Sequence, residues 1–274
     1  MLELNHQFNI VDIHTYLRSD SNGKLIQTQY SANTLERELQ QAGIIWAVVV
    51  PGIPTNNDQY ITLNNNISRQ IVDRPLLAFA RINGPRHHTN SFRTKIRNLA
   101  TRQKVTYTSP EDIEQYAYND RFSGFVLHPP YDGIPDLDVL QTLEDVNVPL
   151  LVYSGEKFPP EQVNKTLLEY DFPTILAHFG GYPLNRNLMH TAIDLLEHHD
   201  DLYLDTSLVR YRSILERALL EHPDRVLFGS GSPLSHPSVG VMEILTLDVS
   251  RDIMERVFVK NPERVIENLD VMGV

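Results

Sequence analysis

Eight short apolar runs, separated by longer amphipathic segments, constrain this fold more than any other feature of the chain. They occupy residues 10–14, 44–50, 76–82, 124–128, 149–153, 174–178, 202–205 and 225–229. Each is continuously apolar rather than alternating, the pattern of a parallel strand covered on both faces. Helix signals lie between them. Asn33-Thr34-Leu35-Glu36 has the form of an N-cap with glutamate at the capping-box position; Leu35, Leu39 and Ala42 then share one face, and Gly43 stops the helix. Ser109-Pro110-Glu111-Asp112 sets a cap, a first-turn proline and two acids in order, and Asn261-Pro262-Glu263-Arg264 repeats that logic. Leu188, Ala192, Leu195 and Leu196 form a further stripe. Residues 51–66 read as a long loop entering a helix, and the polar stretch 83–95 as another loop. Eight strand–helix units fill 274 residues, close to the ~250 typical of a (β/α)8 barrel. The expectation is α/β: one TIM barrel over residues 1–274, ahead of an open doubly wound sheet.

Composition removes several functions. With 24 Lys+Arg against 35 Asp+Glu the net charge is -11, which disfavours nucleic acid and anionic membrane as partners. The chain has no cysteine, so disulfides, thiolate metal sites and cysteine nucleophiles are excluded. The N-terminal residues lack a basic region followed by an apolar run, and the run at 44–50 is far short of the ~20 residues that span a bilayer. A cytoplasmic protein is expected. No dinucleotide fingerprint, phosphate loop or serine-hydrolase elbow is present.

In a barrel, chemistry gathers where strands end at the C-terminal face. The first run ends in Asp12-Ile13-His14-Thr15-Tyr16, the third in Arg81 and Asn83, the fourth in His128, and the fifth in Tyr153-Ser154-Gly155-Glu156. The sixth ends in His178-Phe179-Gly180-Gly181, the seventh in Asp205-Thr206-Ser207, and the eighth in Ser230-Gly231-Ser232. Singly, each has a structural explanation, such as turn chemistry for Asp205-Thr206-Ser207. Their convergence at one mouth points to a small-molecule site. The adjacent pairs His87-His88 and His198-His199 cannot face one site and are set aside, and Trp46 is assigned to the core.

At these residues the chain resembles the amidohydrolase superfamily, in particular the amidohydrolase-related (amidohydrolase 2) branch. That branch holds aminocarboxymuconate semialdehyde decarboxylase, other non-oxidative decarboxylases, and lactone or C–C hydrolases. Val11-Asp12-Ile13-His14 resembles the strand 1 motif, and Gly124-Phe125-Val126-Leu127-His128-Pro129 the strand 4 motif. Ile175-Leu176-Ala177-His178-Phe179-Gly180-Gly181, Leu202-Tyr203-Leu204-Asp205-Thr206-Ser207 and Arg225-Val226-Leu227-Phe228-Gly229-Ser230 are similar to strands 6, 7 and 8, and Asn261-Pro262-Glu263-Arg264 to the closing helix. The resemblance implies an amidohydrolase-like barrel, monomeric or homodimeric. It also implies a metal cage of two strand 1 histidines, one strand 5 histidine and a strand 8 aspartate. Here His14 keeps the first position, while Tyr16, Tyr153 and Gly231 stand at the others and Val126 at the strand 4 lysine.

His14 and His178 alone would make an open metal site, and neutral phenols are poor ligands. No tightly held metal is expected; if zinc or manganese binds, His14 and His178 are the candidate ligands. Asp12, Glu156 and Asp205 are the acids near enough to substitute. Three readings follow. The first is a metal-independent hydrolase or lyase acting on a small carboxylate-bearing or lactone-type molecule. In it His14 or His178 is the general base, Tyr16 and Tyr153 donate to an oxyanion, and Arg81, His128, Asp205 and Ser230 bind substrate. The second is a catalytically silent barrel used for binding or as a structural protein. The third is a divalent-metal hydrolase or decarboxylase with rearranged ligands.

Overall fold

Strand residues alternate between two environments, and that alternation fixes what the barrel holds inside. The computed structural model describes residues 4, 6–17, 30–54, 60–87, 107–267 and 269. Eight parallel strands run in sequence order: β1 (Ile10–Leu17), β2 (Ile44–Pro51), β3 (Leu76–Arg81), β4 (Phe122–Leu127), β5 (Leu150–Gly155), β6 (Thr174–Tyr182), β7 (Leu202–Asp205) and β8 (Val226–Leu227). Val11, Ile13, Val48, Val50, Leu77, Phe79, Val126, Leu151, Ile175, Ala177, Tyr203 and Leu227 pack on one another inside. The alternate set, including Ile10, Ala47, Val49, Ala78, Phe125, Val152, Leu176 and Leu204, packs outward against the helices. β8 and β1 meet without a full ladder. Ile13 N donates to Phe228 O at 2.9 Å, Tyr16 N to Ser232 O at 2.8 Å and Gly231 N to His14 O at 2.9 Å, closing the (β/α)8 barrel.

Several local expectations need correction. The first helix, Ala32–Gln41, is capped by Ser31, whose side chain accepts from Thr34 N, rather than by Asn33. The helix Tyr60–Gln70 begins inside the segment expected to be a loop. Tertiary bonding explains this: Asn64 Nδ2 donates to Arg81 O at 3.0 Å and Arg81 N to Asn64 Oδ1 at 2.9 Å, tying the helix to the end of β3. Ser109 and Asp112 form the expected capping box of the helix Pro110–Ala117. Asn261 is not a cap. It lies inside continuous helical backbone, after a π-helical turn at Arg256–Lys260, and its amide donates to Pro223 O and Val226 O at 2.8 Å each. Pro262 explains the widening, since it has no N–H and its ring crowds the preceding turn. Trp46 is half-buried rather than fully in the core. Of the 83–95 stretch, residues 88–95, including His88, fall outside the described residues.

Candidate active site at the barrel mouth

Both site histidines depend on a local break in strand alternation. Along β6, Ile175 and Ala177 point inward, so His178 should point out. Instead His178, Phe179 and Gly180 all take left-handed backbone, with φ of 57°, 53° and 66°. The turn brings His178 to the mouth and sends Phe179 into the outer core. Two consecutive non-glycine residues in that region are strained, a cost structures keep mainly at functional sites. On β1 the pairing with β2 shifts register between Asp12 and Thr15, and His14 and Tyr16 reach the mouth after inward-facing Ile13. Gly229 makes room for the result: a Cβ there would lie 2.0 Å from Asp205 Oδ1 and 3.0 Å from His14 Cβ.

The buried His14 is bonded at both nitrogens. Nδ1 lies 2.5 Å from Asp205 Oδ2, and Nε2 lies 2.8 Å from the hydroxyls of both Tyr16 and Tyr153. The two phenols also bond to each other. Ser207 joins the group, its Oγ donating to Asp205 Oδ2 at 2.5 Å while lying 2.8 Å from His178 Nδ1 and 3.1 Å from His14 Nδ1. His178 Nδ1 lies 3.0 Å from Ser207 O. A carbonyl only accepts, so this nitrogen carries the proton and Nε2 keeps its lone pair. The same logic, with Asp205 as acceptor, puts the His14 proton on Nδ1 and lets Nε2 accept from a phenol. The two imidazoles stack at 5.2 Å.

Burial sets the protonation states. It pushes His178 down to about 4, aided by the neighbouring His14 ring, so His178 is a neutral base near pH 7. It raises Tyr16 and Tyr153 above the ordinary phenol range, so both remain hydrogen-bond donors. Burial alone would raise Asp205, but the two neighbouring imidazoles and the hydrogen bonds from His14 and Ser207 outweigh it and hold the carboxyl below its usual value. Asp12 is buried behind β1, pushed up to about 7 by burial. Its Oδ1 accepts from His14 N at 3.1 Å and Ser230 N at 2.9 Å, and Oδ2 has no hydrogen-bond partner.

The β3–β4 side of the mouth is different. Arg81 is buried and paired with Asp132, Nε to Oδ1 at 3.1 Å and Nη2 to Oδ2 at 2.9 Å, while Nη1 donates to Pro51 O at 3.1 Å. Asp132 also accepts from Tyr60 at 2.7 Å and from His128 N at 2.6 Å. The expectation of an Arg81 fork open to a substrate carboxylate is corrected to this extent: the chain's own Asp132 already pairs with the guanidinium, although Nη2 makes no hydrogen bond. Asp205 and Ser230, also expected to touch substrate, are turned inward as well. Asp205 is saturated by His14 and Ser207, and Ser230 Oγ accepts from Ser232 N at 3.0 Å. His128 does reach the mouth. Its ring stacks on Tyr153 at 4.7 Å and 17°, and its buried Nδ1 has no partner. Burial, then the charge of Arg81, pushes it down to about 3. Asp132 belongs to no sequence motif, and Gly229, although within the strand 8 motif, gives no sequence sign of the room it leaves for Asp205 and His14. Ser207 lies in Asp205-Thr206-Ser207, where turn chemistry is the local expectation; the structure instead sets its Oγ between Asp205 and the two histidines.

A sequence model of the amidohydrolase family matches residues 105–267. The chain belongs to the amidohydrolase family. No curated protein matches its sequence. Solved structures with similar folds include a probable 2-pyrone-4,6-dicarboxylic acid hydrolase from Acinetobacter baumannii with citric acid bound. It has 16% identity and a TM-score of 0.61, with 94% of this chain and 99% of that one covered. A 2,6-dihydroxybenzoate decarboxylase from Rhizobium has 15% identity and a TM-score of 0.61, covering 94% and 98%. A dihydroxybenzoic acid decarboxylase from Polaromonas sp. JS666, with bound manganese and the inhibitor 2-nitroresorcinol, has 12% identity and a TM-score of 0.62, covering 94% and 97%.

In this amidohydrolase-family chain, donor chemistry decides what a metal would meet. Among the described residues one cluster could hold a divalent ion: His14, His178 and Asp205, with donor atoms within 4.8 Å of one another. The four-ligand cage implied by the resemblance does not fit. Two of its places hold protonated phenols bonded to His14, and Gly231, at φ +69°, offers no side chain. Among the described residues no helix is long and apolar enough to cross a membrane.

Proposed function

We propose that this chain is a metal-independent hydrolase or lyase acting on a small carboxylate-bearing or lactone-type molecule. One observation carries the reading: His178 Nδ1 is bound to the Ser207 carbonyl, leaving Nε2 as a neutral base on a ring 5.6 Å from that of Tyr153, whose hydroxyl is bonded to Tyr16. In the hydrolytic form of the reaction, His178 Nε2 takes a proton from water as the water oxygen attacks a lactone carbonyl. The carbonyl oxygen gains the negative charge and accepts from the phenol of Tyr16 or Tyr153 in place of their mutual bond. The protonated His178 then returns its proton to the departing oxygen as the C–O bond breaks. Asp205 holds His14 so that its Nε2 orients the phenols. Arg81 acts as a positioning residue, fixed by Asp132 behind Tyr153. The carboxylate-acting neighbours of the same fold support the substrate class.

The test is a panel of lactones, pyrone dicarboxylates and hydroxybenzoates assayed with wild type, His14→Ala and His178→Ala. Turnover by the wild type that both variants lose, and that survives chelation, is the expected result. Turnover unchanged in the double variant would overturn the mechanism. The cluster of His14, His178 and Asp205 favours a second reading, a divalent-metal enzyme. That reading predicts activity lost on chelation and restored by zinc or manganese.

A further inference from the structure

With Arg81 buried and already ion-paired with Asp132, the carboxylate of the proposed substrate calls for another cation. We propose that Lys157 is that residue, the anchor that selects acids over neutral analogues. The inference rests on the carboxylate reading of the same site. Lys157 stands just beyond β5 at the tip of a two-residue turn. Gly155 N donates to Phe158 O at 2.9 Å and Phe158 N to Gly155 O at 3.1 Å. The turn is held from both flanks, by Ser154 Oγ donating to Phe158 O at 2.9 Å and Glu156 N donating to Tyr182 O at 3.0 Å. Phe158 anchors it in the core at 1% exposure. A Cβ on Gly155 would lie 2.2 Å from Tyr182 O, so only glycine allows this close seating. A tip fixed in this way sets the Lys157 backbone at a defined place, with its side chain exposed.

That place is the mouth. Lys157 Nζ lies 5.9 Å from the centre of the Tyr131 ring, and Tyr131 meets His128 edge-on at 4.6 Å. His128 stacks on Tyr153, which contacts His178 at 5.6 Å. An aromatic wall thus runs from Lys157 to the proposed base. Lys157 also acts on His128 electrostatically, as Arg81 does. Unlike Arg81, Lys157 has no carboxylate partner among the described residues. In a chain of net charge -11, a cation beside the mouth with no carboxylate partner among the described residues is a ready contact for an anion.

The test is calorimetric binding of 2,6-dihydroxybenzoate and 2-pyrone-4,6-dicarboxylate, with their methyl esters as neutral controls, to wild type, Lys157→Gln and Lys157→Arg. A charge-assisted contact is worth about tenfold in affinity or more. Lys157→Gln should therefore bind the acids about tenfold more weakly and the esters unchanged, while Lys157→Arg recovers most of the loss. Added salt should weaken the acids on wild type more than on Lys157→Gln. Acid binding by Lys157→Gln equal to wild type, or an equal loss of acids and esters, overturns the assignment and leaves the carboxylate reading standing. Wild type that binds neither acid overturns both. Unchanged melting temperatures show that the variants are folded.

Discussion

The two halves of the barrel mouth carry similar residue types and arrange them in opposite ways. On the β1–β5–β6–β7 side, His14, His178, Tyr16, Tyr153, Asp205 and Ser207 share protons through a connected set of bonds. Both imidazoles there are fixed in one tautomer, and His178 Nε2 has no partner among the described residues. On the β3–β4 side, Arg81 and Asp132 pair with each other, and Pro51, Tyr60 and the His128 backbone add further bonds to the pair. The lesson is that a polar side chain at a strand end is available for chemistry only if its neighbours leave an atom free. Arg81 ends β3 and His178 sits at the left-handed turn within β6, yet one is an ion pair and the other an open base.

The largest expected effect separates the halves by activity. His178→Asn removes the base and should lower turnover by about 10²–10⁴ on any substrate found in the panel. Steady-state rates check it, and near-wild-type turnover would place the chemistry elsewhere. The other half should show itself in stability. Asp132→Ala strands a buried guanidinium and should cost about 3–5 kcal/mol in urea unfolding. Replacing both partners, as Arg81→Met with Asp132→Leu, should recover much of that loss. A cost below about 1 kcal/mol for Asp132→Ala would mean the pair is not closed as described.

A pH series sharpens the comparison. His178 is held near 4 against an ordinary 6.5, so the unfolded chain takes up its proton first as pH falls. Stability from this group is complete above about 6.5 and is lost as pH falls toward 4. Asp12 works in the opposite sense. Held near 7 against an ordinary 3.8, it contributes stability at low pH that is lost as pH rises from about 3.8 to 7. The two partly cancel in the wild type. Asp12→Asn should therefore steepen the acid-side loss, and His178→Asn should flatten or reverse it, both read from urea midpoints between pH 4 and 7.5.

The barrel was legible because its signal is repetitive: eight apolar runs with helical segments between them recur down the whole chain. The site was legible only in part. His14, His178, Tyr16 and Tyr153 stand at strand ends and converge as their positions suggested. The partner that closes Arg81 was not visible, because Asp132 sits on a one-turn helix, Pro129–Asp132, with no motif around it. The inward turn of His178 was also hidden. Strict alternation from Ala177 would send it outward, and only the left-handed backbone reverses that. At the first helix the cap falls to Ser31, an equally good local capping residue two positions before Asn33, while the Asn261 amide is drawn into tertiary bonds with Pro223 O and Val226 O.

The smallest effect probes the phenol pair. Tyr16→Phe and Tyr153→Phe should each cost about 1 kcal/mol in stability, and the double variant should cost less than the sum because the hydroxyls bond to each other. Strict additivity would mean that each phenol serves His14 independently.

The most direct test of the central claim is elemental analysis of untagged protein purified without chelators, before and after exposure to zinc and manganese, with turnover measured in parallel. Metal far below one equivalent, with turnover unchanged by chelation or reconstitution, is the predicted result. One tightly held equivalent whose removal abolishes turnover would contradict the account and move the chemistry to an ion held by His14, His178 and Asp205.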